Sequence, residues 1–159
     1  SKSHSVGPIR CLLLRPRREY LGSDKLLCMH DAALFQLVDG VQYTLIEKSK
    51  IRLYIRAIAD KEWEPDDFIQ YGDDLNTSQW ILKIVPIVEI KKQPHLLESP
   101  TFQADLKKRI MIQRELFEKH KPLTPIILRG SDFLIFDGYA RVHFLQALGI
   151  KRVLAYVGY

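Results

Sequence analysis

Pro125-Ile126-Ile127-Leu128, Gly130-Ser131, Phe133-Leu134-Ile135-Phe136 and Asp137-Gly138-Tyr139-Ala140-Arg141 follow one another near the end of this chain. The two apolar runs about a Gly-Ser turn predict a pair of short strands. Asp137-Gly138 then opens an amphipathic helix with Ala140, Phe144, Ala147 and Leu148 as its inward stripe. Gly149 stops it, and Val153 to Val157 supply a closing strand. An acid, a glycine, an aromatic and an arginine thus share one strand-to-helix turn. The first N–H groups of a helix lack internal partners and its dipole favours an anion, so this turn is the candidate functional corner. The competing account is conformational: Asp137 caps the helix and Gly138 relieves steric strain.

Upstream, Ser99 is placed to cap a helix and Pro100 suits its first turn. Phe102, Leu106, Ile110, Gln113 and Phe117 recur at helical spacing along one stripe, with Lys107, Arg114 and Glu118 opposite. Trp80 to Ile90 reads as a strand region interrupted by Pro86. Asp60 to Ser78 is polar, acidic and turn-rich, the expected joint between two parts. Before it, Tyr43 and Leu45, then Ile51, Leu53, Ile55 and Ala57, alternate as a β-hairpin. Asp31 and Gly40 bracket a short helix over 32–38, Ile9 to Leu14 reads as a strand, and Ser1 to Gly7 as a tail. The expected organisation is an N-terminal strand/helix/hairpin region with its acidic joint over 1–78, and an α/β (α+β) domain over 79–159.

The sequence has 159 residues, 47% hydrophobic and 27% charged, which is globular rather than disordered composition. Its apolar stretches are shorter than the roughly 18–20 residues that cross a bilayer, and no signal core opens it, so a cytoplasmic protein without a membrane partner is expected. Cys11 and Cys28 lack metal-ligand spacing and read as buried thiols. The net charge of +5 favours phosphorylated or polyanionic partners.

The phrase from Leu123-Thr124-Pro125 through Asp137-Gly138-Tyr139-Ala140-Arg141 to Leu148-Gly149 and Val153–Val157 resembles the ParB/sulfiredoxin superfamily over about residues 81–157. Members share a proline-led strand, a hairpin, Asp-Gly-x-x-Arg, a helix, Leu-Gly and a strand. The resemblance implies a ParB/sulfiredoxin-like domain with a small mixed sheet and packed helices. It also implies a site for nucleotide phosphate, with ATP, ADP or CTP and magnesium as cofactors. Gly138 would permit close backbone approach, Arg141 would contact phosphate, and Tyr139, Lys121, Thr124 and Pro125 would lie beside them. An arginine fork suits phosphate oxygens. Asp137 would take a hydroxyl proton or help hold magnesium in phosphoryl transfer or nucleotide hydrolysis. The chain departs from the family at Tyr139-Ala140, where sulfiredoxins carry Cys-His, partition proteins Glu-Arg, and the free-serine kinases a histidine at Ala140. Those kinases also use an acidic residue after the first strand, where this chain has Pro94 and His95.

Two other functions compete: a non-enzymatic DNA-associated partition or regulatory module, and a partner-binding relic using an apolar face on Ile51, Leu53 and Ile55. Self-association as a homodimer is allowed for. Elsewhere, no metal site is expected: His95 and His120 lack ligand spacing, and the run Glu62, Glu64, Asp66, Asp67, Asp73, Asp74 lacks a calcium-loop pattern; His143, one turn into the last helix, is within reach of the site but reads as a surface or satisfied core histidine. Trp63 and Trp80 read as packing at the junction, and Arg15, Arg17 and Arg18 as a basic surface.

Overall fold

A computed structural model describes residues 34–159. The expected strand at Ile9–Leu14, both cysteines and the arginines at 15, 17 and 18 lie outside the described residues. The elements run β1 (Phe35–Val38), β2 (Val41–Thr44), α1 (Ile51–Glu62), α2 (Pro65–Thr77), β3 (Trp80–Pro86), α3 (Pro94–Leu97), α4 (Pro100–Glu118), β4 (Ile126–Arg129), β5 (Ile135–Asp137), α5 (Tyr139–Ala147) and β6 (Arg152–Gly158). Strands β3-β6-β4-β5 form a mixed sheet in that order, with β4 and β6 parallel and both edge pairings antiparallel.

Central strand β4 explains why its sequence is apolar without alternation. Ile126 and Leu128 enter one core with Val85, Val142, Leu145 and Val153, beneath α4 and α5. Ile127 points the other way, joining Phe136 and Tyr156 beneath Ile51, Ile55 and Ala59 of α1 and Tyr71 and Leu75 of α2. Helices on both faces make every side chain of such a strand a core side chain.

Ser99 Oγ accepts from Phe102 N at the start of α4, and Pro100 takes the first helical position, as expected. Pro86 is the last residue of edge strand β3, where its missing N–H removes little. Gly149 ends α5 region with a positive φ of 80°.

Four local readings are corrected. Residues 35–44 form a β-hairpin rather than a helix: Asp39 and Gly40 both have positive φ (48° and 79°), the geometry of a tight hairpin turn. Residues 51–57 are helical rather than a strand, because Ile51, Ile55 and Ala59 repeat every four residues and are the buried ones. Leu53 lies on the opposite side, 72% exposed. The supposed partner face of Ile51, Leu53 and Ile55 is therefore not one surface. The acidic joint contains α2, begun by Pro65 and by Glu64 N donating to Asp67 Oδ2 at 3.0 Å. In α5 the inward side chains are Tyr139, Ala140, Val142, Phe144 and Leu145, whereas Ala147 and Leu148 are exposed.

Candidate functional site

Strand β5 ends at Asp137 and α5 begins at Tyr139, so Gly138 alone makes the turn between them, with φ of 116°. A β-carbon at Gly138 would sit 2.5 Å from Ile126 Cγ2 and 3.1 Å from Arg141 Nη2. Glycine is required here both by backbone conformation and by the close passage of α5 over β4. The conformational account of this glycine is sufficient to explain its presence. Asp137, by contrast, is not the helix cap; that position is Gly138 itself.

Asp137 instead accepts from Arg141 Nη2 at 2.8 Å, one turn along the helix, with the two side chains 20% and 13% exposed. Tyr54 of α1 lies within electrostatic reach of both Arg141 and Asp137. Burial pushes the Tyr54 hydroxyl up from its ordinary value, Arg141 opposing and Asp137 adding to that effect.

In front of the turn lies a cleft of about 670 Å³. Asp137, Gly138, Tyr139 and Arg141 all line it, so four of the seven sequence-predicted residues meet there. Lys121, Thr124 and Pro125 lie outside its walls. Lys121 closes α4 by donating its backbone N–H to Leu116 O at 2.9 Å, Pro125 is buried and Thr124 is half-buried. The opposite walls come from the α1–α2 elbow, with Trp63 and Glu64, and from α4, with Phe102 and Leu106. Arg109 of α4 straps these walls together, 2.8 Å from Glu62 of α1 and 2.7 Å from Asp105.

Trp63 packs edge-on against Phe68 and Phe136, and its Nε1 donates to Phe136 O at 3.3 Å, which fixes the elbow against β5. Tyr139 is equally constrained. Its ring meets Phe102 edge-on, its hydroxyl accepts from Gln93 N at 2.8 Å, and burial pushes that hydroxyl up to about 12. Tyr139 is thus a neutral wall of the cleft.

The cleft's charge limits what it can take. Glu62, Glu64, Asp67, Asp105 and Asp137 face Lys61, Arg109 and Arg141, an excess of acid that disfavours a bare polyphosphate. An anion accompanied by a divalent cation suits it better. Among the described residues no three His, Cys, Asp or Glu side chains converge to hold a metal ion. Magnesium fits under those terms only when it arrives on phosphate oxygens and uses one or two carboxylates, its ordinary manner of binding.

Sequence reasoning missed Tyr54, Trp63 and Gln93 as site residues. Tyr54 was hidden by the strand reading of α1, while Trp63 and Gln93 are brought in by tertiary packing and carry no local signal. Among the described residues no helix is long and apolar enough to cross a membrane. No protein-family model matches the chain, and neither does any curated protein. Two solved structures of pNOB8-like ParB N-domains are similar over 51% of it, one at 20% identity and a TM-score of 0.39, the other at 24% and 0.36. The chain covers 30% and 28% of their respective lengths, less than a third of either, and it is to ParB N-domains that these findings liken it.

Proposed function

We propose that this chain is a nucleotide-binding domain that takes a magnesium-bearing nucleotide, ATP, ADP or CTP, in the cleft before α5. The observation that carries the reading is the meeting of Gly138, Arg141 and Asp137 at the N-terminus of α5, inside a cleft of about 670 Å³. Helix N–H groups, the dipole and the guanidinium fork favour phosphate, while the surrounding carboxylates favour the metal that comes with it. The sequence phrase shared with the ParB/sulfiredoxin superfamily supports the same corner.

On binding, phosphate takes a share of Arg141, and Asp137 is released toward magnesium. Phosphoryl transfer or nucleotide hydrolysis is the reaction class this arrangement suits, with Asp137 as proton acceptor or metal contact and Arg141 stabilising phosphate charge. Asp137 must first relinquish its 2.8 Å contact with Arg141 to accept a proton, so binding is the firmer part of the proposal.

Calorimetric titration of the full chain with each nucleotide, with and without magnesium, tests it. Binding is expected with magnesium, weakened at least tenfold without it and by Arg141→Ala, since charged hydrogen bonds contribute about 1.5–3 kcal/mol. Failure of every magnesium nucleotide to bind at millimolar concentration, or unchanged binding by the Arg141 variant, would overturn it. Release of inorganic phosphate in the same samples, abolished by Asp137→Asn, separates an enzyme from a binding module.

A further inference from the structure

Strand β3 is an open edge of the sheet. Gln79 and Tyr159 exchange both backbone hydrogen bonds, at 2.7 and 3.0 Å, and the ladder continues without a bulge from Trp80–Gly158 to Pro86–Arg152. In an antiparallel ladder such exchanging pairs alternate with pairs turned outward. Ile81, Lys83 and Val85 therefore bond β6, while the N–H and C=O groups of Trp80, Leu82 and Ile84 point away from the sheet. Among the described residues no group pairs with them. Protein edges ordinarily carry a device that stops a second strand from adding: a central proline, a bulge, or a lysine whose charge lies over the edge. Here Pro86 stands only at the far end. Lys83, the one charge of β3, is turned back over the sheet. Its Nζ donates to the Tyr159 hydroxyl at 2.8 Å and lies 5.2 and 5.8 Å from the ring centroids of Tyr159 and Phe133. Beside the edge, Ile81 and Ile84 remain 50% and 44% exposed.

We propose that two copies of this chain join at β3, edge to edge and antiparallel, about a two-fold axis at Leu82. The occupant is a second copy because the edge is complementary to itself in that register. Leu82 meets Leu82, Trp80 meets Ile84, and each outward N–H finds an outward C=O. Pro86 lies beyond the paired residues, where its missing donor is not called on. Ile81 of each copy stands opposite Lys83 of the other. Moving the axis by one residue spoils the match in either direction. At Lys83 two lysines oppose each other, which is destabilising, and Pro86 is drawn against Trp80. At Ile81 the donors of Ile84 fall opposite Ser78, whose own N–H is already held by Asp74 O at 3.1 Å. The two sheets become one, with β5 and the cleft before Asp137 at its outer ends, so the pairing does not depend on what the cleft binds. A single strand edge is small beside the roughly 1,200–2,000 Å² that stable complexes bury, so the dimer forms reversibly as concentration rises.

Sedimentation velocity of the full chain from about 1 μM to about 1 mM is expected to show one chain passing to two. Over the same range, hydrogen exchange should slow at the amides of Trp80, Leu82 and Ile84, which no protein group holds in the single chain. Two variants test the register. Ile81→Lys sets like charges opposite each other on both sides of the axis, and Ile81→Glu sets opposite charges there. The lysine variant should therefore associate about tenfold more weakly than the glutamate variant. A chain that stays single to about 1 mM overturns the proposal and leaves the edge to a foreign strand. Association that leaves the three amides exchanging freely, or equal association by the two Ile81 variants, places the contact elsewhere and also overturns it. So do amides already protected in the single chain, which would show the edge covered from within by residues before 34. The wild-type exchange measurement decides even where a variant does not fold.

Discussion

Arg141 Nη2 lies 2.8 Å from the Asp137 carboxylate, and both side chains are largely withdrawn from water. The residues offered by the sequence as phosphate ligand and as base are each other's partners. Arg141→Ala leaves a shielded carboxylate without that guanidinium and should cost about 1–3 kcal/mol, between the values for exposed and fully buried pairs. Asp137→Asn should cost less, because an amide oxygen still accepts from Arg141. Urea unfolding of both single variants and the double variant gives the coupling energy; a value near zero would show the pair to be incidental.

Gly138 and Gly149 both have positive φ, but they differ in surroundings. A β-carbon at Gly149 meets nothing within 4 Å, whereas at Gly138 it would press on Ile126. Gly149→Ala should cost about 1–2 kcal/mol, the conformational penalty alone. Gly138→Ala should cost more, about 2–4 kcal/mol, because overpacking adds to it. Ile126→Ala, which removes the Cγ2 that the new β-carbon would meet, should cost less in the Gly138→Ala background than in the wild-type chain. Equal losses at the two glycines would show that α5 tolerates displacement from β4.

The contrast also shows what the sequence could and could not convey. From Trp80 onward, caps and breakers act locally: Ser99 and Pro100 start α4, Gly138 turns the chain and Gly149 ends α5, and each is readable without knowing the fold. Between 35 and 62 the apolar spacing satisfies two periods at once. Ile51, Leu53 and Ile55 fit a strand, Ile51, Ile55 and Ala59 fit a helix, and only the presence of a sheet face to cover decides between them. The Asp39-Gly40 pair was the stronger local signal, since both residues adopt the positive φ that a two-residue hairpin turn requires. Gln93 and Trp63 join the site through contacts 42 and 73 residues away in sequence, which no window of local pattern contains.

His143 introduces a pH dependence. Burial first, and the charge of Lys92 second, hold its imidazole below the ordinary value of 6.5. Its Nε2 is shielded and without a hydrogen-bond partner among the described residues. Between the lowered value and 6.5 the unfolded chain binds the proton more readily than the folded one. Stability therefore rises with pH through that window and is lost as acid is added below 6.5. Melting temperature should fall when the pH is taken from about 7.5 to about 5.5, and His143→Gln should flatten that part of the curve. Parallel curves for the two proteins would remove His143 as the cause.

The boundary expected near residue 78 falls between α2 and β3, yet the sheet is covered from both sides of that point. Ile127, Leu134, Phe136 and Tyr156 are buried beneath Ile51, Ile55, Ala59, Tyr71 and Leu75. Tyr156 Oη also accepts from Ile46 N at 2.8 Å, and burial pushes the Tyr156 hydroxyl up to about 12. A chain of residues 79–159 would therefore present one whole face of its sheet to water, an apolar surface of the kind that drives association. It should bind a hydrophobic dye and melt without a sharp transition, while residues 34–159 unfold in one cooperative step. Within the longer chain, Tyr156→Phe should cost about 1–2 kcal/mol by leaving the Ile46 N–H without its acceptor. A sharply melting, monomeric 79–159 fragment would instead establish that the C-terminal unit holds its own fold, and that α1 and α2 serve chiefly to wall the cleft in front of Asp137.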